Sequence, residues 1–509
     1  MESIPSSSGR GARGEGDPTP DIRHTAATIQ VVNYEEVDRA KERAAPPEPL
    51  PPPPAIPLGP LSLADVLQTT TTAFPPLIEA RLERARVEGE VIEAWGAFDT
   101  KLKGESNNAP LGFYKNYWHG LDLSQPIWNT GGELYAGYFI GRGTPKPWYG
   151  ERETNAGGDF SLGGRLPLLR DRNFDDRRAG VLAGGIDRRA VEPFIQGQLL
   201  MIFREAAAAY WKWVAAGQSF QAEQALLDLA DDRVEQIQKR VDAGDLAKIA
   251  RIDNERLIAG RRAKLIAAER KLQEAAIKLS LFYRDAAGAP IVPTADTAPR
   301  SFPPDTPPIE VTADDAATAS LASQALARRP ELAELAFLRE RTCIELKQAK
   351  NDYLPLLDFE VEASKDVGQP TSKGDKTPFE LKASLKGELP VQRRKAAGKI
   401  QQVRAKLAQI DAKRKFVANK IVVETQDAVS ALLAAKGRIE QASKTVELAE
   451  QSLELGRLQF EAGDEDIITL NIREQAVTDA RLALIEAQAD FHSAVAAVQT
   501  ALGSLPNEE

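Results

Sequence analysis

Acidic side chains crowd one short stretch of this 509-residue chain: Asp464, Glu465 and Asp466 follow Gly463 inside "FEAGDEDIITL", residues 460 to 470. Carboxylates there have two uses. They can cap the helix that the next apolar run begins, accepting from its free N–H groups and matching its dipole. Gathered at the mouth of a pore, they can instead favour cations and oppose anions. A related stretch, "VDAGDLAKIAR" at 241 to 251, sets Gly244 and Asp245 at an offset of 219 residues, with Asp253 nine residues past that glycine.

Little else in the chain offers chemistry. His24, His119 and His492 are scattered, so neither a His-based metal site nor a nucleophile–base pair can be assembled from them. Cys343 is the only cysteine, which excludes a disulfide framework and a Cys-based zinc site. "DRNFDDRRAGVL" (171–182) begins like a calcium loop, but Asp176 stands where glycine is needed and Leu182 where glutamate is needed. "GRG" (141–143) lacks the third glycine of a dinucleotide fingerprint. The expectation is a protein with no catalytic residues, metal or cofactor, and so no enzyme. A net charge of −9 argues against a nucleic-acid partner. The sequence has no apolar run of transmembrane-helix length; β-barrels stay open.

The elements that position the acidic turns come in two copies. Residues 1–60 are polar and then proline-dominated, which predicts a disordered or extended segment. A second Pro-rich break, 284–319, separates a first repeat over 61–283 from a second over 320–503, leaving a short tail at 504–509. Each repeat reads as short helix, strands, long helix, glycine turn, short helix. The first has helices near 61–95, 177–243 and 245–283 and strands near 98–169; the second has helices near 320–350, 393–462 and 464–502 and strands near 354–390. At the offset of 219, Leu265 matches Leu484, Ile266 matches Ile485, and Ala268 matches Ala487. In the last long helix, Val403, Leu407, Ile410, Val417, Ile421, Ala428, Leu432, Ala435, Ile439, Ala442, Val446, Ala449, Leu453 and Phe460 follow coiled-coil spacing, with gaps at Arg414, Glu424 and Gly456. At about 1.5 Å per residue, 70 residues make a rod of roughly 105 Å. Such a rod must find partners.

The strands are the unexpected part. "LDFEVEAS" (357–364) sets Phe359 and Val361 on one face against acidic residues on the other. "FELKASLKGEL" (379–389) likewise sets Phe379, Leu381 and Leu385 against charged positions. Period two of this length fits a lipid-facing barrel wall as well as an ordinary half-buried sheet. Of 32 aromatic residues, 13 lie between Trp95 and Phe160, among them Trp118, Trp128, Trp148 and Tyr149, as the girdles of a membrane barrel require. Four principal strands are too few to close a barrel, so oligomerisation is expected. The segment 120–143 exceeds a two-strand hairpin and either extends the wall or plugs it.

Taken together, "LSLADVLQ" (61–68), "RPELAELA" (329–336), the twin AGD tips and the duplicated order make the chain resemble the TolC-like outer-membrane efflux proteins. The resemblance covers roughly residues 61–503. It implies a mainly α fold in which duplicated long-helix hairpins form an α-barrel. It also implies a twelve-stranded transmembrane β-barrel shared by a homotrimer in outer-membrane lipid, with the helices extending into the periplasm. It further implies docking of a periplasmic adaptor protein and an inner-membrane pump at the tip, hence an exit duct for efflux or type I secretion. Gly244 and Gly463 would turn the chain at that tip. Asp464, Glu465 and Asp466, with Asp245 and Asp253, are the candidate acidic entrance ring. Some relatives carry aspartates six and nine residues after the second tip glycine, where this chain has Thr469 and Ile472. The alternative is a periplasmic or soluble coiled-coil scaffold or adaptor without a pore. The opening "MESIPSSSGRGARGEGDPTPDIRH" lacks the charged-then-apolar order of a secretory signal. A misplaced start, an atypical export signal and an unexported protein would each account for that. The first is the expectation carried forward.

Overall fold

The structure is a computed structural model and describes residues 59–144, 153–244, 247–304, 314–371, 374, 376–462 and 464–505. Helix α1 (Leu63–Ala73) starts from a capping box: Ser62 Oγ accepts from Asp65 N at 3.2 Å, and Asp65 Oδ2 accepts from Ser62 N at 3.0 Å. The chain breaks at Phe74, because Pro75 and Pro76 suit only the first turn of a new helix, α2 (Pro75–Trp95). The second repeat does the same. Helix α6 (Asp315–Arg328) stops before Pro330, which opens α7 (Pro330–Asn351). The single short helix expected at the start of each repeat is therefore a broken pair.

The first long helix is also interrupted. α3 (Asp176–Asp232) gives way at Arg233 to α4 (Val234–Asp242), correcting the expected continuous helix over 177–243. Arg233 sits at the break with its guanidinium drawn into a buried ion pair described below. The return helix α5 spans Lys248–Leu279. In the second repeat α8 (Arg394–Ala462) runs unbroken for 69 residues, and α9 (Ile467–Ala501) returns along it. Helix α3 packs on α2 and α5 at one side and on α7 and α9 at the other; α8 packs on α7 and α9. Four helices thus lie abreast at each level, with α2 followed by α5 at one edge and α8 at the other.

The seam of α8 behaves as its spacing predicts over its first two thirds. Val403, Ile410, Ile421, Ala428, Leu432, Ala435 and Ile439 are buried, whereas Val446 and Leu453 beyond them are only half-buried. The largest core lies where both repeats meet: Trp213 and Val214 are fully buried with Tyr210, whose hydroxyl donates to Leu61 O at 2.8 Å. The inter-repeat segment joins this core. Phe302 stacks on His492 at 5.6 Å, and His492 stacks on Trp211 at 4.5 Å.

Six strands, not four, form one continuous antiparallel sheet in chain order: β1 (Lys101–Ala109), β2 (Asn116–Pro126), β3 (Glu133–Gly143), β4 (Asp159–Pro167), β5 (Leu356–Asp366) and β6 (Glu380–Glu388). The unplaced segment 120–143 contributes to β2 and β3, so it widens the sheet and does not plug it. β2 and β3 pair with each other along their length, β2 also with β1 over 116–124 and β3 with β4 over 133–139, with Leu121 facing Gly104 and Tyr138, and Tyr135 facing Ser124 and Gly163. The expectation of four principal strands failed because Gly120, Gly137 and Gly141 dilute the period-two pattern in these strands.

Phe491, fully buried in the second-repeat core between α9 and α8, tests this packing. Phe491→Ala should cost about 3–5 kcal/mol, read as a lowered midpoint of thermal or guanidinium unfolding monitored by circular dichroism.

Candidate functional site

The sheet sorts its side chains by face. Because residues opposite one another in an antiparallel ladder share a face, the registers place Leu102, Leu123, Ala136, Leu162, Ala363 and Leu381 in one row across all six strands. Phe359 and Leu385 form a cross-strand pair on the same face, as do Val361 and Ala383. Phe379 precedes β6 on the same parity. Leu162, Leu381, Leu385 and Phe379 are each more than 60% exposed, and Phe359 is 40% exposed. Val361 is half-buried. Among the strand residues, charge appears on this face only at Arg142 and Lys365, both at the rim far from the helices.

The opposite face carries nearly all of the sheet's charge, most densely on β1, β5 and β6. Lys386 pairs with Glu360 at 2.5 Å, Lys382 with Glu362 at 3.7 Å and Arg165 with Asp358 at 3.6 Å. Tyr135 Oη reaches Glu362 at 3.5 Å. A water-contacting face of this charge and an apolar face of this exposure cannot both belong to a sheet in plain solution.

Aromatic residues mark both ends of the sheet. At the helix end Trp128, in the β2–β3 turn, stacks on Trp95 at 5.1 Å and lies 5.0 Å from Phe98. At the far end Phe113 and Tyr114 pack edge to face at 4.9 Å, with Phe113 85% exposed. Trp148 and Tyr149 lie outside the described residues. The segment that begins like a calcium loop anchors the helix end: Asp175 caps α3 and pairs with Arg178 at 3.0 Å, while Asn351 Nδ2 donates to Asp171 Oδ1 at 2.7 Å.

At the far ends of the helices, Gly244 adopts a left-handed φ of +84°, with its N–H donating to Val241 O at 3.1 Å. Gly463 and Asp245 lie outside the described residues. The three acids of the second tip have divided roles. Asp466 is the N-cap of α9, its Oδ1 accepting from Thr469 N and Thr469 Oγ1, each at 2.8 Å. Those hydrogen bonds, the backbone one foremost, hold its carboxyl below the usual range. Glu465 is paired with Arg473 at 2.6 Å, and Arg473 also donates to Ser452 O on α8. A Cβ on Gly456 would come within 2.7 Å of Arg473 Cδ, so that glycine makes room for the clamp. Asp464 is exposed, and its N–H donates to Gln459 O at 2.9 Å. Asp253 lies on α5, 3.7 Å from Arg256.

One buried constellation escaped the sequence. Glu474 on α9 is almost fully enclosed and accepts from Arg261 on α5 at 3.2 Å and from Arg233 at the α3 break. Arg233 also donates to Asn471 Oδ1 at 3.0 Å, and Arg261 to Leu226 O on α3 at 2.7 Å. Burial pushes the Arg261 guanidinium below its usual range, and the hydrogen bond to Glu474 opposes that shift. The signal was present: Leu470, Glu474 and Val477 fall at helical spacing on the buried stripe of α9, so a charge sits where a core residue belongs.

Residues 321–504 match the model of a family described as outer membrane efflux protein. No curated protein sequence matches the chain. Solved outer-membrane channels share the fold across nearly all of it. The outer membrane protein VceC of Vibrio cholerae is similar at 17% identity and a TM-score of 0.60, over 87% of this chain and 96% of that one. The open-state MtrE outer membrane channel of Neisseria gonorrhoeae is similar at 14% identity and 0.63, over 89% and 94%. The Campylobacter jejuni CmeC outer membrane channel is similar at 11% identity and 0.60, over 88% and 87%.

Two variants probe the tip and the constellation. Asp466 contributes stability above its unfolded-state pKa and loses it as pH falls through the lower folded value. Asp466→Ala should therefore lower the unfolding midpoint at neutral pH and flatten its decline below about pH 4. Glu474→Gln leaves two arginines facing a neutral group and should cost about 3–5 kcal/mol, read by the same unfolding measurement.

Proposed function

We propose that this TolC-like outer membrane efflux protein is a passive exit duct spanning the outer membrane and reaching into the periplasm. The observation that carries the reading is the sheet: apolar and exposed on one face, charged on the other, open at both edges, and mounted on helices of about 100 Å. Lipid satisfies the first face and water the second. The open edges are satisfied by further copies of the chain, for which a homotrimer is the arrangement the resemblance implies. Phe359, Val361, Phe379, Leu381 and Leu385 then face outer-membrane lipid.

Transport through such a duct needs no catalytic group, cofactor or metal. The free energy comes from an inner-membrane pump coupled through a periplasmic adaptor at the helix tips. There the division of roles found at the second tip makes Asp464 the acid that faces the entrance, while Asp466 caps and Glu465 is clamped. Gly463, Asp245 and Asp253 complete the tip only in the sense of turning and flanking it. The rival reading, a scaffold or adaptor, calls for one helical hairpin flanked by compact β-domains. Two helical repeats sharing one sheet fit it poorly.

The expected outcome is a detergent-dependent trimer extracted from an outer-membrane fraction, which conducts ions in planar bilayers. Asp464→Asn should reduce its preference for cations, whereas Glu465→Gln should change it little. A detergent-independent soluble dimer would favour the scaffold.

A further inference from the structure

Among the described residues, the two edges of the sheet, β1 and β6, carry no partner strand. They run in opposite directions, because β1 leaves the helices and β6 returns to them, so β6 of one copy lies antiparallel to β1 of the next. All residues of β6 and all but the last of β1 are exposed. Both strands hold nine residues. The question is the register in which they meet.

The pleat restricts the answer. Lys101, Lys103, Glu105 and Asn107 lie on the charged face of β1, and Glu380, Lys382, Ser384, Lys386 and Glu388 on that of β6. Charged face must continue into charged face, which leaves registers spaced two residues apart. Three of them keep most of both strands paired: Lys103 opposite Ser384, opposite Lys386, or opposite Glu388.

The stagger of the sheet narrows the choice. Following the ladders, Lys101 is in line with Ser124, Tyr135, Gly163, Glu362 and Lys382, yet β6 ends at Glu388, six residues nearer the helices (382 to 388). Five steps around the wall thus shift the strands by six residues. The three registers bring the shift per copy to four, six or eight residues over six strands. At about 3.3 Å per residue and about 4.8 Å between strands these give tilts of about 25°, 35° and 43°, of which closed barrels use the last two. Charge separates those. With Lys103 opposite Lys386, all nine residues of each strand pair, but two lysines face each other and offset the one opposite-charge pair, Lys101 with Glu388. With Lys103 opposite Glu388, Glu105 falls opposite Lys386, giving two opposite-charge pairs and no like pair. Opposite charges across a ladder stabilise and like charges destabilise.

We infer that β6 of one copy joins β1 of the next with Glu388 opposite Lys103 and Lys386 opposite Glu105, and that three copies so joined enclose an eighteen-stranded wall. The inference rests on the trimeric-duct reading and adds to it the joint and the width. At that tilt eighteen strands make a ring about 37 Å across, against about 25 Å for a wall of twelve. The width suits the helices. Four helices abreast at about 9 Å spacing span roughly 36 Å, and six strands tilted by about 43° span roughly 39 Å, whereas four strands would span only about 26 Å. β2 and β3 therefore let the wall match the helical tube beneath it.

The test uses the full chain carrying Cys343→Ala, purified from outer membranes and mildly oxidised. Residues directly opposite in a ladder are within disulfide reach. Lys103→Cys with Glu388→Cys, and separately Glu105→Cys with Lys386→Cys, should convert most of the protein to covalent trimer. Lys103→Cys with Lys386→Cys and Lys101→Cys with Lys386→Cys should convert little. A charge exchange checks the pair without cysteines: Lys103→Glu and Glu388→Lys should each lower the temperature at which the trimer dissociates in detergent, and together restore it. A trimer linked mainly through another pair, or an intact trimer linked through none, overturns the joint while leaving the duct. Absence of any outer-membrane trimer overturns both.

Discussion

Backbone hydrogen bonding at the edge of a sheet is the constraint on which this structure turns. A strand edge in hydrocarbon has no water to satisfy its N–H and C=O groups, so a spanning sheet must close on itself or on copies of itself. Six strands, with β1 and β6 at opposite margins, cannot do the first. Leu102, Leu162, Leu381 and Leu385 leave an apolar face that none of the described helices covers. The same rule governs the helices. A row four abreast exposes α8 along one flank and α2 with α5 along the other, and copies side by side would bury both.

The helical part is held by a different kind of bond at each level. Where the repeats meet near the sheet, burial of Tyr210, Trp211, Trp213 and their neighbours joins them. Toward the tips the cores thin out, with Leu227, Ala230 and Ile258 forming only a small cluster. There the enclosed Glu474 bridges Arg261 of α5 and Arg233 at the α3 break, linking the two repeats through charge. A buried ion pair adds little net stability but is costly to break, so it fixes how the hairpins sit against each other more than it strengthens them.

The sequence revealed what repeats and what alternates. The offset linking Gly244 to Gly463, the stripe of α8 and the period of β5 and β6 each follow from short-range patterns, and the helices and strands lie close to where those patterns point. The resemblance to efflux channels, built on the same features, agrees with a family match over 321–504 and with a fold shared across the chain. What stayed hidden depends on tertiary partners. The glycines in β2 and β3 erase alternation while leaving room for Trp118 beside Gly120 and for Asp122 and Ser161 beside Gly137, so two strands read as an unplaced insert. Arg233, at the break between α3 and α4, pairs with a residue 241 positions away. The acids of the second tip look equivalent in sequence, and only Arg473 and the first turn of α9 separate their roles.

The most direct measurement is solvent access to the two faces of the wall. A nitroxide placed through cysteine at Leu162, on the apolar face, and another at Lys382, on the charged face, can each be relaxed by oxygen, which concentrates in lipid, or by a water-soluble nickel chelate. In reconstituted membranes Leu162 should respond mainly to oxygen and Lys382 mainly to nickel. Equal access of nickel to both positions would contradict the account, because the apolar face would then lie in water and the wall would enclose nothing.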